Sequence, residues 1–382
     1  VHDAADAAGR TALVTIESSA NDPRIVRSTS EHGWDCDAVW NDDFHHALRV
    51  ALTGERHEYY RAYAGAADVA AAWEGRWVYS GQYSPSFDRR HGAPADAIDH
   101  RHFVVFDTNH DHVGNTPRGD RMLSDVAPDD PRHRLAAAAV LLSPFTPMLF
   151  MGEEYGETSP FPYFIDHGDP DLVEAVRVGR HREFSGADWS GPVADPADPS
   201  TFEAAVLDVT LTEREPHRSR LAMYTELLRL RRAHRLLTDP SAQQHVSFVD
   251  DALFVVRSGP GETASLVFNF SDEDVDHRSP GPADAVVFDS DDTRWGGPGW
   301  SVDRIAPWSA RLRRGRRRKH PGAAGRIRQA PNSLESGSGI GEGGSAFGAP
   351  LFFGSSSVWL QAAREGGFDL EDKVVVIPEA IG

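Results

Sequence analysis

The feature that most constrains the fold is the apolar run Phe103-Val104-Val105-Phe106, followed at once by the polar segment Asp107-Thr108-Asn109-His110-Asp111-His112. Four consecutive apolar residues bounded by polar ones read as a buried strand. A helix-like stretch, Arg132 to Leu142, comes next. An Asn-His-Asp triplet at the carboxyl end of a buried strand stands where α/β barrels gather their reactive groups. The pattern recurs. Leu13-Val14-Thr15-Ile16 ends in Glu17, Ala38-Val39-Trp40 ends in Asn41-Asp42-Asp43, and Pro147 to Met151 precedes Gly152-Glu153-Glu154. Strands alternating with helices predict parallel βα units, with polar clusters on one face.

Residues 1–9 read as the end of a helix, and His45 to Thr53 as another, with Leu48 and Leu52 at helical spacing. Gly75 to Pro94 is a long Gly-, Ser- and Tyr-rich loop, and Asp169 to Asp208 reads as irregular. Arg218 to Leu237 is amphipathic, with Leu221, Tyr224, Leu227 and Leu228 on one face. The period then changes. Val246–Phe248, Leu253–Val256, Leu266–Phe268 and Val286–Phe288 are short runs between turn signals, as in a small antiparallel β domain. The expected class is therefore α/β. Residues 1–240 hold the βα units, 241–313 a β domain, and 314–382 a low-complexity, disordered tail. The tail opens on a basic run, Arg311 to His320, read as a solvated segment.

Acidic residues number 58 against 39 basic ones, for a formal net charge of −19, and Lys319 and Lys373 are the only lysines. An acidic, lysine-poor surface stays hydrated in concentrated salt, where screening removes self-repulsion. It is read as that of a halophile's cytoplasmic protein; the plainer alternative is an acidic protein from a GC-rich genome, which also favours Arg over Lys. The negative balance argues against nucleic-acid binding. A single cysteine, Cys36, excludes an intramolecular disulfide and a cysteine metal cluster. No apolar run is long enough for a membrane span.

Two carboxyl groups on different strand ends suggest glycoside hydrolysis, in which one protonates the leaving oxygen and the other attacks or stabilises the sugar carbon. Glu17 suits the acid, because burial at a strand end raises a carboxyl pKa. Asp111 suits charge stabilisation and His110 a sugar hydroxyl. Each has a plain alternative: Glu17 as a helix cap or turn residue, and the His-Asp pair as a loop hydrogen bond. The adjacent His110-Asp111-His112 positions do not converge readily on one metal ion.

The sequence resembles the α-amylase superfamily, and within it the maltooligosyl trehalose trehalohydrolases. Thr15-Ile16-Glu17 is similar to the general-acid motif, and Phe106 to Asp111 to the motif of the transition-state-stabilising Asp. Longer matches narrow the assignment: Glu17 to Arg24, Trp40 to Leu48, Leu52 to Glu55, Gly81 to Ser84, and Pro147 to Gly156. The resemblance covers about residues 10–313 and excludes the tail. It implies the C-terminal half of a (β/α)8 TIM barrel followed by a β domain. It implies retaining hydrolysis of the α-1,4 bond beside the terminal trehalose of maltooligosyl trehalose, with no cofactor and no metal. By motif, Glu17 and Asp111 are catalytic, and His110, Asn109, Trp40, Asp42, Asp43 and His46 bind substrate. For Asp42, Asp43 and His46 a structural role is the equal alternative, and Glu153 and Glu154 are expected to make structural hydrogen bonds.

The sequence departs from the pattern at Thr108 and His112, where Gln is common, and near Thr116, where Arg is common. No Gly-x-Arg-x-Asp-Ala motif for the nucleophile precedes Glu17, and Asp3 and Asp6 lie too near it. On that pattern the strands ending at Glu17, Trp40, Phe106 and Met151 are the fifth to eighth, and the chain alone is expected to be nearly inactive. The partners expected are maltooligosyl trehalose or an α-1,4-glucan, and a chain supplying the other barrel half. Two further readings stay open: another α-amylase relative such as a branching enzyme, or a non-catalytic glucan-binding remnant.

Overall fold

A computed structural model describes residues 1–184, 193–276, 285–316 and 374–376. Residues 1–12 with 318–374 cluster as one unit, and 13–317 with 375–382 as another. The described part of the first unit holds a helix, His2–Ala7, with no buried residue. The tail expected over 314–382 lies outside the described residues, apart from 314–316 and a short strand at Val374–Val376.

The apolar runs form the parallel strands β1 (Ala12–Ile16), β2 (Ala38–Trp40), β3 (Phe103–Val105) and β4 (Thr146–Pro147). They pair in chain order, with Thr15 opposite Ala38, Val39 opposite Phe103, and Val104 opposite Thr146. The β4 ladder is shorter than the apolar run Pro147 to Met151. Met148 N–H still reaches the Val105 carbonyl at 2.9 Å, but Gly152 then turns the chain with a positive φ of 85°. Apolarity in that run serves side-chain packing: Met148 sits against Ala38, Trp40, Val104 and Phe106.

Helices follow the strands: α1 (Asp42–Thr53), α2 (Ala66–Gly75), α3 (His110–Gly114) and α4 (Pro131–Leu141). Helix α1 starts three residues before the expected His45, because Asn41 Oδ1 caps it by accepting the Phe44 N–H at 3.2 Å. Asp42 and Asp43 thereby enter its first turn, where the helix dipole favours acidic groups. The loop 75–94 carries a small hairpin, Tyr83–Ser84 with Arg89–Arg90. The segment expected to be irregular after Asp169 instead contains α5 (Pro170–Phe184) and a short helix, Pro199–Ala204. Only Arg180 and Phe184 of α5 are buried, so its sequence shows little amphipathic period. The amphipathic stretch forms α6 (His217–Ala233), and among the described residues no helix is long and apolar enough to cross a membrane.

Strands β5 (Gln243–Val249), β6 (Ala252–Gly259), β7 (Glu262–Asn269), β8 (Ala285–Asp289) and β9 (Ser309–Arg316) make an antiparallel sheet in the order β8-β9-β7-β6-β5. Half of the supposed basic tail is thus a strand inside the sheet. Arg311 is buried against Asp289 at 2.5 Å, so its charge serves the fold and not a solvated segment. One continuous core joins both sheets within the unit. Trp73 on α2 packs against Phe268 on β7, with ring centroids 5.5 Å apart, and against Phe145 at 6.4 Å.

Candidate active site

The carboxyl ends of β1, β2 and β3 bring the singled-out residues together. Glu17 follows β1 directly and is half-buried. The Trp40 ring, at the end of β2, meets Phe106 edge-on at 5.8 Å and His110 at 5.9 Å. After β3 the chain turns into α3, where Asn109 Oδ1 accepts the N–H groups of Asp111 and His112 at 3.0 and 3.1 Å. Asn115, one turn on, donates to Asp111 Oδ1 at 2.8 Å. Asp111 is therefore held at both ends of its own short helix, while the His110 side chain stays exposed.

Burial raises the Glu17 carboxyl above its usual range; the charge of His110 opposes this and that of Asp111 adds to it. Asp42 is pushed up to about 7, first by burial, then by the charges of Glu17, Asp43 and Asp111. Asp42 registers the charges of Glu17 and Asp111, and Glu17 that of Asp111, so the three carboxyl groups lie near one another. A carboxyl group raised by burial, a second one held by hydrogen bonds, an indole and an exposed imidazole suit the cleavage of a sugar acetal.

No protein-family model matches the chain. The malto-oligosyltrehalose trehalohydrolase of Arthrobacter ramosus is 41% identical over 254 residues, covering 66% of this chain and 44% of that one. That of Saccharolobus solfataricus is 36% identical over 259 residues, covering 68% of this chain and 43% of that one. The chain is a relative of the malto-oligosyltrehalose trehalohydrolases. It spans less than half the length of these curated relatives. A crystal structure at 1.4 Å of a Salmonella typhimurium protein, provisionally described as an alpha amylase, is 33% identical with a TM-score of 0.68, covering 79% of this chain and 51% of that one.

Seen as a trehalohydrolase relative, the chain divides its expected substrate ligands into two groups. Trp40 meets His110, and Asp42 and His110 lie within electrostatic range of Glu17. Asp43 and Asn109 are buried and hydrogen-bonded within the chain. Asp43 is 3% exposed and accepts from Asn21 Nδ2, Val78 N–H and Tyr79 N–H at 2.8 Å each, and from Tyr63 Oη at 2.5 Å. Its burial would raise its pKa further if these bonds did not oppose it. Asn109, 2% exposed, is spent as the α3 cap. His46 lies beside Tyr63, with Nδ1 3.1 Å from the hydroxyl.

Sequence reasoning gave no role to Asp107 or His45. Asp107 is buried, shares a hydrogen bond with Glu153, and is raised by burial, as is Glu153. Glu153 also accepts from Phe150 N–H at 2.9 Å and Tyr224 Oη at 3.3 Å, in keeping with the structural role read for it. His45 and His112 stack with ring centroids 3.5 Å apart. The departure at His112 was the one signal that this layer differs.

Proposed function

We propose that this site performs retaining glycoside hydrolysis on the α-1,4 bond beside the terminal trehalose of a malto-oligosyltrehalose, with Glu17 as acid/base and Asp111 as charge stabiliser. The observation that carries the reading is the raised Glu17 carboxyl facing the doubly held Asp111. Glu17 keeps its proton long enough to give it to the leaving trehalose oxygen. The Asp111 carboxylate faces the positive charge that develops on the sugar carbon, and its fixed orientation means little reorganisation is needed as that charge grows. Trp40 offers an apolar ring to the sugar, and His110 a hydrogen-bonding imidazole. The names of the relatives support the trehalose end of the substrate. In this reading β1 to β4 are the fifth to eighth strands of a (β/α)8 barrel.

A retaining reaction also needs a carboxylate nucleophile across the sugar from the acid. Among the described carboxyls beside Glu17 and Asp111, Asp43 is saturated by its four donors and Asp42 is held protonated up to about pH 7. The chain alone is therefore a slow hydrolase, and a partner segment carrying a free carboxylate completes it.

The test is trehalose release from malto-oligosyltrehalose, with and without azide. Azide attacks the anomeric carbon, the glycosidic C–O bond breaks, trehalose leaves with the Glu17 proton, and a glycosyl azide forms. The expected result is slow release, faster with azide and abolished by Glu17→Gln. Release indifferent to Glu17→Gln, maltose or glucose without trehalose, or no cleavage by folded protein under either condition would overturn the reading.

A further inference from the structure

Three imidazoles meet beside Asp111, and the hydrolytic reading does not use them together. His45 and His46 lie near the start of α1, and His112 follows Asp111 in α3. One ring nitrogen from each lies within 4.8 Å of the other two. The His46 ring centroid is 5.4 Å from that of His45 and 5.7 Å from that of His112.

The hydrogen bonds fix where the protons sit. His45 Nδ1 is 2.5 Å from the Asp107 carbonyl, which can only accept, so Nδ1 carries the proton and Nε2 the lone pair. His46 Nδ1 is 3.1 Å from Tyr63 Oη, whose one hydrogen goes to Asp43. His46 Nδ1 must then donate, and its Nε2 is also left with a lone pair. His112 is 9% exposed, and its Nδ1 is buried with no hydrogen-bond partner among the described residues. Burial keeps all three rings neutral, the form that ligates metal.

We propose that His45, His46 and His112 form a three-nitrogen site for a divalent transition metal ion of the zinc class. Imidazole donors select zinc, copper or nickel over magnesium or calcium. The Asp107 carbonyl behind His45, and the Tyr63–Asp43 pair behind His46, are the outer partners that orient metal-bound histidines elsewhere. Binding requires the His112 ring, stacked on His45 with centroids 3.5 Å apart and planes 13° from parallel, to turn out of that stack so that both lone pairs point at one ion. The Tyr60 hydroxyl, 3.1 Å from His45 Nε2, turns away. The nitrogens draw in to roughly 3.3 Å, the spacing set by Zn–N bonds of about 2.0–2.1 Å in tetrahedral geometry. A water or a substrate hydroxyl takes the fourth position. The ion ties α1, which carries Asp42, to α3, which carries Asp111.

The test is titration of the purified chain with zinc chloride by calorimetry, repeated with cobalt chloride in a visible absorption cell. One saturable ion per chain is expected, with the d–d bands of four-coordinate cobalt and no thiolate charge-transfer band. His112→Gln and His46→Gln should each weaken binding at least tenfold, and zinc should raise the melting temperature of the unaltered chain alone. His57→Asn, on an exposed imidazole, should leave affinity unchanged. If His112→Gln fails to fold, His46→Gln gives the same reading. No saturable binding by the unaltered chain, binding by both Gln variants as tight as by the unaltered chain, or a thiolate band implicating Cys36 would overturn the proposal.

Discussion

Asn109 Oδ1 accepts the backbone N–H of Asp111 at 3.0 Å, so the residue that starts helix α3 also sets the direction of the carboxylate two positions on. Asn109→Ala removes this cap and that of the His112 N–H. A lost N-cap costs about 1 kcal/mol. The expected outcome is a modest fall in the urea midpoint with a much larger fall in trehalose release. Equal losses in both would mean that Asn109 acts on the fold alone.

Asp43→Ala should behave in the opposite way. It strands four donors in a buried pocket. Each buried donor left unpaired costs about 1–3 kcal/mol. Chemical denaturation should show a loss of roughly 3 kcal/mol or more, along with poor recovery of soluble protein. A variant of near-normal stability would show that the Asp43 network is replaceable.

Asp42 gives the pH dependence its sign. Its pKa is raised from 3.8 to about 7 on folding, so between those values the folded chain binds more protons than the unfolded one. The Asp42 contribution therefore lowers stability as pH rises from about 4 to 7, and levels off above. Denaturant midpoints measured across that window should show a slope that Asp42→Asn flattens. A slope unchanged in Asp42→Asn would assign it to other groups.

Arg311 and Asp289 are paired at 2.5 Å, with their side chains only 2% and 3% exposed. Removing one partner of such a pair leaves a buried charge and costs roughly 3–5 kcal/mol, whereas replacing both with apolar groups is often neutral. Arg311→Met should destabilise strongly, and Arg311→Met with Asp289→Leu should recover most of the loss. Failure of the double variant to recover would point to the Arg311 bonds with the Ser301 and Val302 carbonyls.

Much of this was legible in the sequence because buried parallel strands write themselves as short apolar runs. Val14, Val39, Phe103 and Val105 are core residues in those runs; Glu17 directly follows one of them, and Asp111 lies five residues past the end of another, at Phe106. Helix α5 was not legible, because it buries two residues and shows solvent the rest. Arg311 and Arg313 looked like a basic tail, because composition cannot tell an arginine with a buried partner from a solvated one. Nor could the sequence separate Asp42 from Asp43, or see that Asn109 is spent on the backbone. Those distinctions depend on which way a side chain leaves a helix turn, and on donors such as Tyr63 and Tyr79, 20 and 36 positions away from Asp43.

The contrast between Asp42 and Asp43 has a consequence for how mutational data on this protein will read. On the proposed reading, neighbouring codons answer to different pressures: Asp43 governs how much protein accumulates, and Asp42 the electrostatics beside Glu17. A screen scoring only total activity would rank the two positions alike. Paired readouts of abundance and turnover per molecule would pull them apart and trace, residue by residue, where scaffold gives way to chemistry.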